Sequence, residues 1–355
     1  MGLRFGLIGY GAWGRFHADA IARTPSGELV AVATASADSV AAARHDHPHA
    51  AVTSDYRELL ARGDVDVVSV VAPNALHEAI AVAALDAGKH LVLEKPMATT
   101  VAGCDRILAA AARAGRTVNV VHELRASSQW GRIKEWVDDG TFGEPLSFLF
   151  TLWRRPFRSG AADWRYDAAS VGSWLLEEPV HFVDLAAWYF ERLGPPASVY
   201  AAGNGKGRAG AMYDNLAMTL RWPEGQYAVL TQSVAGFEDH KVMEIVGTAG
   251  AARALWSGAM DRTDRPTASL RLLDGLTGEE RFDIGQPRDI DLHEASGEIF
   301  ELLTFYQHVA EGVETGRSYV SAEAGRRAVA ICVAAEQSVR ERREIDLAEL
   351  LEGRG

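Results

Sequence analysis

The chain has 355 residues, of which 48% are hydrophobic and 24% are charged, and its formal net charge is −12. A chain of this length has more residues than one hydrophobic core usually holds, so two domains are expected. The acidic balance and the lack of a dense Lys/Arg run argue against nucleic-acid binding, and the apolar stretches are too short or interrupted to cross a bilayer. The distant Cys104 and Cys332 offer neither a disulfide framework nor a metal cluster. They suit a reducing compartment, and the start of the chain lacks the order of regions of a signal peptide, so a cytoplasmic location is expected.

Residues 3–122 alternate between short apolar strands and helices. The predicted strands are 3–8, 28–35, 51–53, 65–72, 90–94 and 116–122, and the predicted helices are 12–24, 37–45, 55–62, 75–87 and 99–114. The run "VDVVSVVA" at 65–72 is rich in β-branched residues, as in strands that are buried on both faces of a parallel sheet. Short links between alternating strands and helices predict a parallel sheet with right-handed crossovers.

The pattern changes after about residue 123. A helix is predicted at 126–138, and strands with a period of two follow it. The alternation is clear in "LSFLFTLW", where one face carries Leu146, Phe148, Phe150 and Leu152. Further strands are predicted at 198–202, 215–222, 226–234, 241–247, 251–256 and 268–274, and helices at 175–192, 292–312 and 321–341. Strands in series indicate a mostly antiparallel sheet, so the sequence predicts an α/β protein with domains 1–123 and 124–355.

The sequence "GYGAWG" places Gly9, Gly11 and Gly14 after the first predicted strand and at the start of the first helix. In a dinucleotide-binding loop the first glycine makes the tight turn and the second lets the pyrophosphate approach the backbone. The third lets the helix pack against the strand. Free N–H groups and the helix dipole favour the phosphates at this end. The loop therefore predicts dinucleotide binding by residues 9–14, including Tyr10, Ala12 and Trp13.

The end of the second strand leaves NAD and NADP as alternatives. An acid about 20 residues after the loop usually holds the ribose of NAD. This chain has Thr34, Ala35 and Ser36 there, and Asp38 comes too late. Without a carboxylate, repulsion against a 2′-phosphate is smaller, and Ser36 could bond one. The arginine expected beside such a phosphate is missing at Ala35, so both cofactors stay candidates, with Thr34 and Ser36 as expected contacts.

The stretch "VVAPNALHEAIAVAALDAGKHLVLEKPMA" at 70–98 resembles the central signature of the glucose–fructose oxidoreductase, inositol dehydrogenase and rhizopine-catabolism (Gfo/Idh/MocA) family. "FGEP" at 142–145, Trp164-Arg165 and the C-terminal "YVSAEAGRRAVAICVAAEQSV" are also similar to family features. The resemblance implies a Rossmann domain followed by an α/β domain with a large open sheet. It further implies NAD(P)-linked redox chemistry on a sugar or cyclitol, and pairing into homodimers or homotetramers that cover the sheet face.

The resemblance also assigns roles within this signature. The lysine of the Glu94-Lys95-Pro96 triplet is implied to reach the active site beside the nicotinamide, and the proline often forms a cis bond. A lysine at the carboxyl end of a strand fits this role, because that edge is where open α/β sheets bind ligands. The cofactor contacts expected from the signature are Ala72, Pro73, Asn74, His77, Glu94 and Lys95.

A second cluster lies in "GSWLLEEPVHFVDLAAWYF". The family pattern has one aspartate four residues before a histidine and another three residues after it. This chain matches at His181 and Asp184 but has Glu177 where aspartate is usual and Pro179 where glycine is common. On one helix Glu177 and His181 would share a face, but proline suits a first turn, so a helix that starts there would leave Glu177 in the preceding turn. A core histidine bonded to Asp184 is the alternative reading of His181.

Oxidation of a secondary alcohol requires a base that removes the hydroxyl proton as hydride leaves the carbon. We hypothesise that His181 is this base, because imidazole titrates in the right range. Lys95 would bond the same oxygen and stabilise its developing negative charge, and Glu177 would orient the substrate. Lys95 and His181 could also exchange these roles.

The loop "WRRPFRSGAADWR" at 153–165 combines arginines with tryptophans. Aromatic faces suit sugar rings, and arginines bind carboxylate or phosphate in bidentate fashion. An acidic or phosphorylated sugar is therefore one interpretation, and interface or surface arginines are the favoured one. "NVVHELR" at 119–125 ends at the same sheet edge as the lysine. The expected substrate contacts are Lys95, His122, Arg125, Trp153, Arg154, Trp164, Arg165, Glu177, Glu178 and His181.

Three classes of function compete. A sugar or cyclitol dehydrogenase, or the reverse ketone reductase, leads. An NAD-dependent glycoside hydrolase that oxidises its substrate transiently is the second, and the altered start of the histidine helix leaves room for it. A non-catalytic cofactor-sensing protein is the third, and it fits poorly because both Lys95 and His181 are retained.

Overall fold

The computed structural model describes residues 2–206, 212–275, 286–292 and 297–351. The chain divides into two compact units. The first comprises Met1–Glu123 together with Ala169–Gly172 and Leu302–Val329; the second comprises Leu124–Ala168, Ser173–Glu301 and Ala330–Gly355. The chain therefore returns to the first unit twice after residue 123, and the predicted ranges 1–123 and 124–355 do not include these returns.

Six parallel strands form the sheet of the first unit, in the order β3-β2-β1-β4-β5-β6. They are β1 Leu3–Ile8, β2 Gly27–Ala33, β3 Ala51–Thr53, β4 Val67–Val70, β5 His90–Glu94 and β6 Val118–Val121. The helices between them are α1 Ala12–Arg23, α2 Ala37–Asp46, α3 Tyr56–Leu60, α4 His77–Asp86 and α5 Val101–Ala114. All of β4 is buried, as its β-branched run predicts. The strand order reverses between β1 and β4, and ligands of such sheets bind outside the carboxyl ends of the strands at this point.

In the described part of the second unit, nine strands form one sheet, in the order β14-β13-β12-β11-β7-β10-β9-β8-β15. They are β7 Pro145–Trp153, β8 Ser198–Asn204, β9 Asn215–Arg221, β10 Tyr227–Ser233, β11 Asp239–Gly247, β12 Ala251–Gly258, β13 Thr267–Leu273, β14 Arg288–Ile290 and β15 Ile345–Asp346. Neighbours pair antiparallel except β7 with β10. The predicted fold class is confirmed, and the short strands β14 and β15 were missed because two or three residues carry no periodicity.

Seven α-helices are described after β6. They are α6 Trp130–Asp138, α7 Ala168–Val171, α8 Trp174–Glu177, α9 Pro179–Tyr189, α10 Glu298–Thr315, α11 Ala322–Glu341 and α12 Ala348–Leu351. The predicted helix at 292–312 corresponds to α10, and its residues 293–296 lie outside the described residues. Helix α6 starts four residues later than predicted, because a separate 3-10 turn occupies Glu123–Ala126.

The single helix predicted at 175–192 is wrong, because the chain forms α8 and α9 with a break at Glu178. Glu178 has φ −131° and ψ −51°, outside helical values. The cause is Pro179, which lacks an N–H and disfavours helical geometry in the residue before it, while fitting the first position of α9. Glu177 therefore lies in α8, and the argument that it shares a helix face with His181 does not hold.

Aromatic packing fixes α9 on the sheet of the second unit. The ring of Phe182 stacks on Phe150 of β7 with centroids 3.9 Å apart. At the other end of α9, the Tyr189 hydroxyl donates to the carbonyl oxygen of Trp130, 2.8 Å away. Buried aromatic pairs add about 0.5–1.5 kcal/mol beyond their area. The helix that carries His181 is thus anchored beside that residue and again two turns later.

Candidate active site

The predicted site residues fall in both units, and the glycine loop belongs to the first. Gly9 has φ +102°, and a Cβ there would lie 2.0 Å from the carbonyl oxygen of Val71. A Cβ on Gly14 would lie 2.0 Å from the carbonyl oxygen of Gly9. At Gly11, which caps α1, nothing lies within 4 Å of the Cβ position. The outer glycines are therefore required by the backbone, whereas the middle one leaves open space at a helix N-terminus, as a pyrophosphate needs.

The residues expected beside the ribose have partners within the first unit. Thr34 Oγ1 accepts a hydrogen bond from the Tyr10 backbone N–H at 3.3 Å. Ser36 Oγ accepts from the backbone N–H of Ser39 at 3.1 Å and caps α2. Threonine thus ties the end of β2 to the glycine loop, and serine starts the helix that follows. Their predicted cofactor contacts stay predictions.

Lys95 follows β5 directly, and its peptide bond to Pro96 is cis. The neighbouring Glu94 carboxylate accepts from Trp13 Nε1 and from His17 Nε2, each at 2.9 Å, and from the backbone N–H of Lys95 at 3.1 Å. Burial alone would raise the pKa of Glu94, but the hydrogen bonds from His17 and Trp13 and the positive charge of Lys95 lower it below its usual range. Glu94, expected to contact the cofactor, is thus a buried carboxylate that holds the lysine backbone.

His77 contacts the same turn at the residue after Lys95. Its Nδ1 lies 2.7 Å from the carbonyl oxygen of Pro96, and its Nε2 lies 2.8 Å from that of Ala72. Burial lowers the pKa of the His77 imidazole, and the two carbonyls act against this effect. Nearby, Asn74 Nδ2 donates to the carbonyl oxygen of Val171 at 3.0 Å. Both ring nitrogens of His77 therefore face backbone oxygens and hold this part of the backbone, and its expected contact with the cofactor stays a prediction.

In the second unit, His181 lies in the first turn of α9 and its side chain is buried. The backbone N–H of His181 bonds the carbonyl oxygen of Glu178 at 3.1 Å. Glu177, one residue before the break, accepts from Arg165 Nε. Arg165, which belongs to the Trp164-Arg165 pair that resembles a family feature, thus binds the glutamate that replaces the usual aspartate. The Arg165 guanidinium also lies over the Trp164 ring, 4.5 Å from its centroid.

Asp184, one turn after His181, forms a bidentate ion pair with Arg125. Arg125 Nε and Nη2 donate to the two carboxylate oxygens, each at 2.7 Å. Only 8% and 1% of the two side chains are exposed. The pair therefore anchors the segment after β6 to α9, and the expected contact of Arg125 with substrate stays a prediction.

The arginine loop is matched by carboxylates. Arg154, buried at the end of β7, donates from Nη1 to Glu178 at 2.7 Å and from Nη2 to Asp261 at 3.2 Å. Arg158 lies 3.6 Å from the same Asp261. Burial opposes the charge of Arg154, but the surrounding acids raise its pKa above the ordinary value. This local neutralisation favours the interpretation that these arginines are structural.

Further buried charged groups lie near Arg154 and its carboxylate partners. Lys241 Nζ lies 3.6 Å from Asp239 and 3.7 Å from Glu298, and 4.2 Å from the centroid of the Trp256 ring. Burial raises the pKa of Glu298 to about 8, although the charge of Lys241 opposes this. This cluster was not predicted from the sequence. The available signal was the phase of "DHKVMEIVG", in which Asp239 and Lys241 fall on the same buried strand face as Met243 and Ile245.

Two predicted substrate contacts differ in exposure. His122 is buried directly after β6 in the first unit. Trp153 is 51% exposed and lies on the face of β7 opposite to the buried Phe150 and Leu152. It belongs to the exposed sheet face of the second unit, which makes it the weakest of the expected substrate contacts.

The fold defines a class of protein, and known relatives define the family. The parallel sheet and the glycine loop define a dinucleotide-binding protein. A family model described as the oxidoreductase family with an NAD-binding Rossmann fold matches residues 3–122. A second, the GFO/IDH/MocA C-terminal domain, matches residues 130–253. The chain belongs to the Gfo/Idh/MocA oxidoreductase family, and both the resemblance noted in the sequence and the nicotinamide cofactor are confirmed.

The individual relatives share well under half of their aligned residues with this chain. An uncharacterized oxidoreductase of Bacillus subtilis is 28% identical over 256 residues, 70% of this chain and 72% of that protein. An inositol 2-dehydrogenase of Salmonella typhimurium is 37% identical over 149 residues, so that the match spans 41% of this chain and only 44% of that enzyme. Levoglucosan dehydrogenase in complex with NADH and levoglucosan superimposes with a TM-score of 0.84 at 21% identity, covering 98% and 100% of the two chains. At such identity the structural likeness shows the fold alone.

Among the described residues, no helix is both long and apolar enough to cross a membrane.

Proposed function

We propose that this oxidoreductase transfers hydride between the nicotinamide and a secondary alcohol or ketone of a sugar, sugar derivative or cyclitol. The observation that carries the proposal is the placement of Lys95. It follows β5 at the ligand edge of the NAD(P)-binding sheet. The turn is held by Glu94, which binds the Lys95 backbone N–H, and by His77, which contacts the Pro96 carbonyl. The match to an inositol 2-dehydrogenase supports the substrate class.

In the proposed mechanism, His181 removes the hydroxyl proton, and returns it when a ketone is reduced. Lys95 donates a hydrogen bond to the same oxygen and stabilises the negative charge that develops there. Glu177, held by Arg165, orients a neighbouring hydroxyl. The nicotinamide, when bound, takes up or delivers the hydride. Acid and base are thus supplied by side chains, and the open space at Gly11 receives the pyrophosphate.

The charges of the second unit favour an uncharged substrate. Arg154 and Arg165 each pair with a carboxylate, and Arg125 is occupied by Asp184. A substrate phosphate or carboxylate would have to displace one of these pairs, which leaves a buried charge unmatched. We therefore propose that neutral polyols react in preference to their phosphorylated or acidic counterparts.

The test is a panel of neutral, acidic and phosphorylated sugars, cyclitols and keto-sugars, run with NAD and NADP in parallel. With the best substrate, Lys95→Ala and His181→Ala should each lower kcat by about 10²- to 10⁴-fold. The exposed Lys206→Ala and His49→Ala serve as matched controls and should keep wild-type rates. Near-normal kcat in both site variants would refute the assignment.

The same panel separates the alternatives. Cleavage of nitrophenyl glycosides without net NADH formation would instead support a glycoside hydrolase. Tight cofactor binding without turnover of any panel member would support a cofactor-sensing protein.

We further propose a cytoplasmic homodimer or homotetramer that pairs through the sheet of the second unit. Its support is the exposed face of that sheet, which carries Leu149, Tyr200, Tyr227 and Val246 as exposed apolar side chains. Such a face is a liability unless covered. Light scattering should give a mass of two or four times the 38.4 kDa of one chain. Leu149→Glu should reduce it to one chain, and a monomeric wild type would refute the proposal.

A further inference from the structure

A buried chain of hydrogen bonds in the first unit leads from α10 to the residue beside Lys95. Ser69 Oγ lies 2.6 Å from the Tyr306 hydroxyl, and that hydroxyl lies 2.8 Å from His17 Nδ1. His17 Nε2 lies 2.9 Å from Glu94 Oε1. Ser69, Tyr306 and His17 are completely buried, and Glu94 is nearly so. Four side chains from α10, β4, α1 and β5 thus form one continuous path.

The chemistry of these groups gives the path a direction. A carboxylate only accepts hydrogen bonds, so the N–H at Nε2 of His17 must donate to Glu94. In the tautomer that carries only this N–H, Nδ1 accepts from the Tyr306 hydroxyl, whose oxygen accepts from Ser69. Every donor in the path then has an acceptor, as burial requires. The path therefore ends on Glu94 with each of its links satisfied.

Glu94 passes this constraint to Lys95 and to the glycine loop. Its Oε2 accepts from the Lys95 backbone N–H at 3.1 Å, and its Oε1 also accepts from the Trp13 indole at 2.9 Å. The carboxylate is thus held by three donors, and its orientation sets the backbone from which the lysine side chain projects. If one donor is lost, the buried Glu94 carboxylate is less well stabilised. This costs more free energy than the loss of an exposed hydrogen bond.

We infer that Ser69, Tyr306, His17 and Glu94 form a positioning network that holds Lys95 in its productive orientation. The inference rests on the proposed function, in which Lys95 bonds the reacting oxygen. None of the four needs to touch the substrate. They act through the lysine, since a misplacement of about 1 Å at a reacting group can cost roughly 10²-fold in rate.

The first experiment removes one hydroxyl from the path. Tyr306→Phe should lower kcat about 3- to 10-fold, with KM and the Kd for NADH within about twofold of wild type. The matched control is Ser338→Ala, which removes an equally buried hydroxyl that donates to the backbone carbonyl of Arg343 at 2.6 Å. The control should lower the melting temperature by a similar amount and leave kcat unchanged. Equal kcat in the two variants would overturn the network.

The second experiment asks whether the residues act through one another. Glu94→Gln removes the negative charge beside Lys95, so the alkaline limb of kcat should move to lower pH. Tyr306→Phe should cost little more in that background, because the path no longer ends on a carboxylate. His17→Ala should lower kcat, and His17→Gln should restore part of it, since an amide can donate to Glu94 and accept from Tyr306.

The outcomes separate this inference from the proposed function. A normal kcat in Lys95→Ala refutes the proposed function itself. A large loss in Lys95→Ala, together with normal rates and pH profiles in Glu94→Gln and Tyr306→Phe, overturns only the network. Full additivity of Glu94→Gln and Tyr306→Phe also overturns it, because additive effects mean that the two groups act independently.

Discussion

At the scale of single residues, the surroundings of the three loop glycines fit the different purposes that the motif assigns to them. Gly9 and Gly14 are required because a side chain would meet the protein backbone at 2.0 Å. Gly11 faces open space, so its lack of a side chain serves the ligand. The motif predicts all three positions. The atoms around each glycine then show whether its lack of a side chain serves the fold or the ligand.

This distinction gives a prediction for two alanine variants. Gly11→Ala should change the free energy of unfolding by no more than about 1 kcal/mol, because only a helix cap is altered. It should raise the Kd for NADH at least about 10-fold, since the new methyl group occupies the space of the pyrophosphate. Gly14→Ala should destabilise the fold by about 1–3 kcal/mol or more through overpacking. Urea denaturation and NADH fluorescence titration measure both quantities. Equal stability losses in the two variants would contradict the assignment.

At the scale of elements, α9 shows how much the sequence predicts and where local patterns end. Pro179 correctly indicated a helix start, and His181 lies in the first turn of the helix that begins there. The pairing of Arg125 with Asp184 was missed, because residues 59 positions apart share no local periodicity. The same limit applies to Tyr306, which meets His17 across 289 positions. Strands and helices follow from nearby residues, whereas the partners of buried charges follow from topology.

The ion pair between Arg125 and Asp184 makes α9 sensitive to the loss of one charge. Asp184→Leu should destabilise the protein by about 3–5 kcal/mol, because Arg125 is left buried without its counter-charge. The double variant Arg125→Met/Asp184→Leu should recover much of this loss, since an apolar pair of similar volume needs no counter-charge. Urea denaturation of both variants and the wild type measures the difference. A double variant no more stable than Asp184→Leu would show that the charge itself is not the cause.

At the scale of the whole molecule, the chain as a whole is acidic, and the second unit nevertheless buries several cations. Lys241 and Arg154 have raised pKa values, because the surrounding acids outweigh the cost of burial. The pKa of Glu298 is also raised, to about 8 from an ordinary 4.5, but here burial is the cause and the uncharged form is favoured. One carboxyl group of this cluster therefore binds a proton in the folded state at a pH where the unfolded chain releases it.

The sign of the resulting pH dependence follows from linkage. Between pH 4.5 and about 8 the folded state holds the proton of Glu298 and the unfolded state does not, so stability falls as the pH rises through this window. The groups that act on it are Lys241, which favours the charged form, Asp261 and Glu178, which oppose it, and Arg262. Glu298→Gln imitates the protonated acid and should remove this contribution. We expect the variant to gain stability relative to wild type between pH 6 and pH 9, as measured by urea denaturation. The exposed Glu224→Gln should show no such gain, and a gain for Glu298→Gln that does not grow with pH would mean that the glutamate is already ionised in the folded protein.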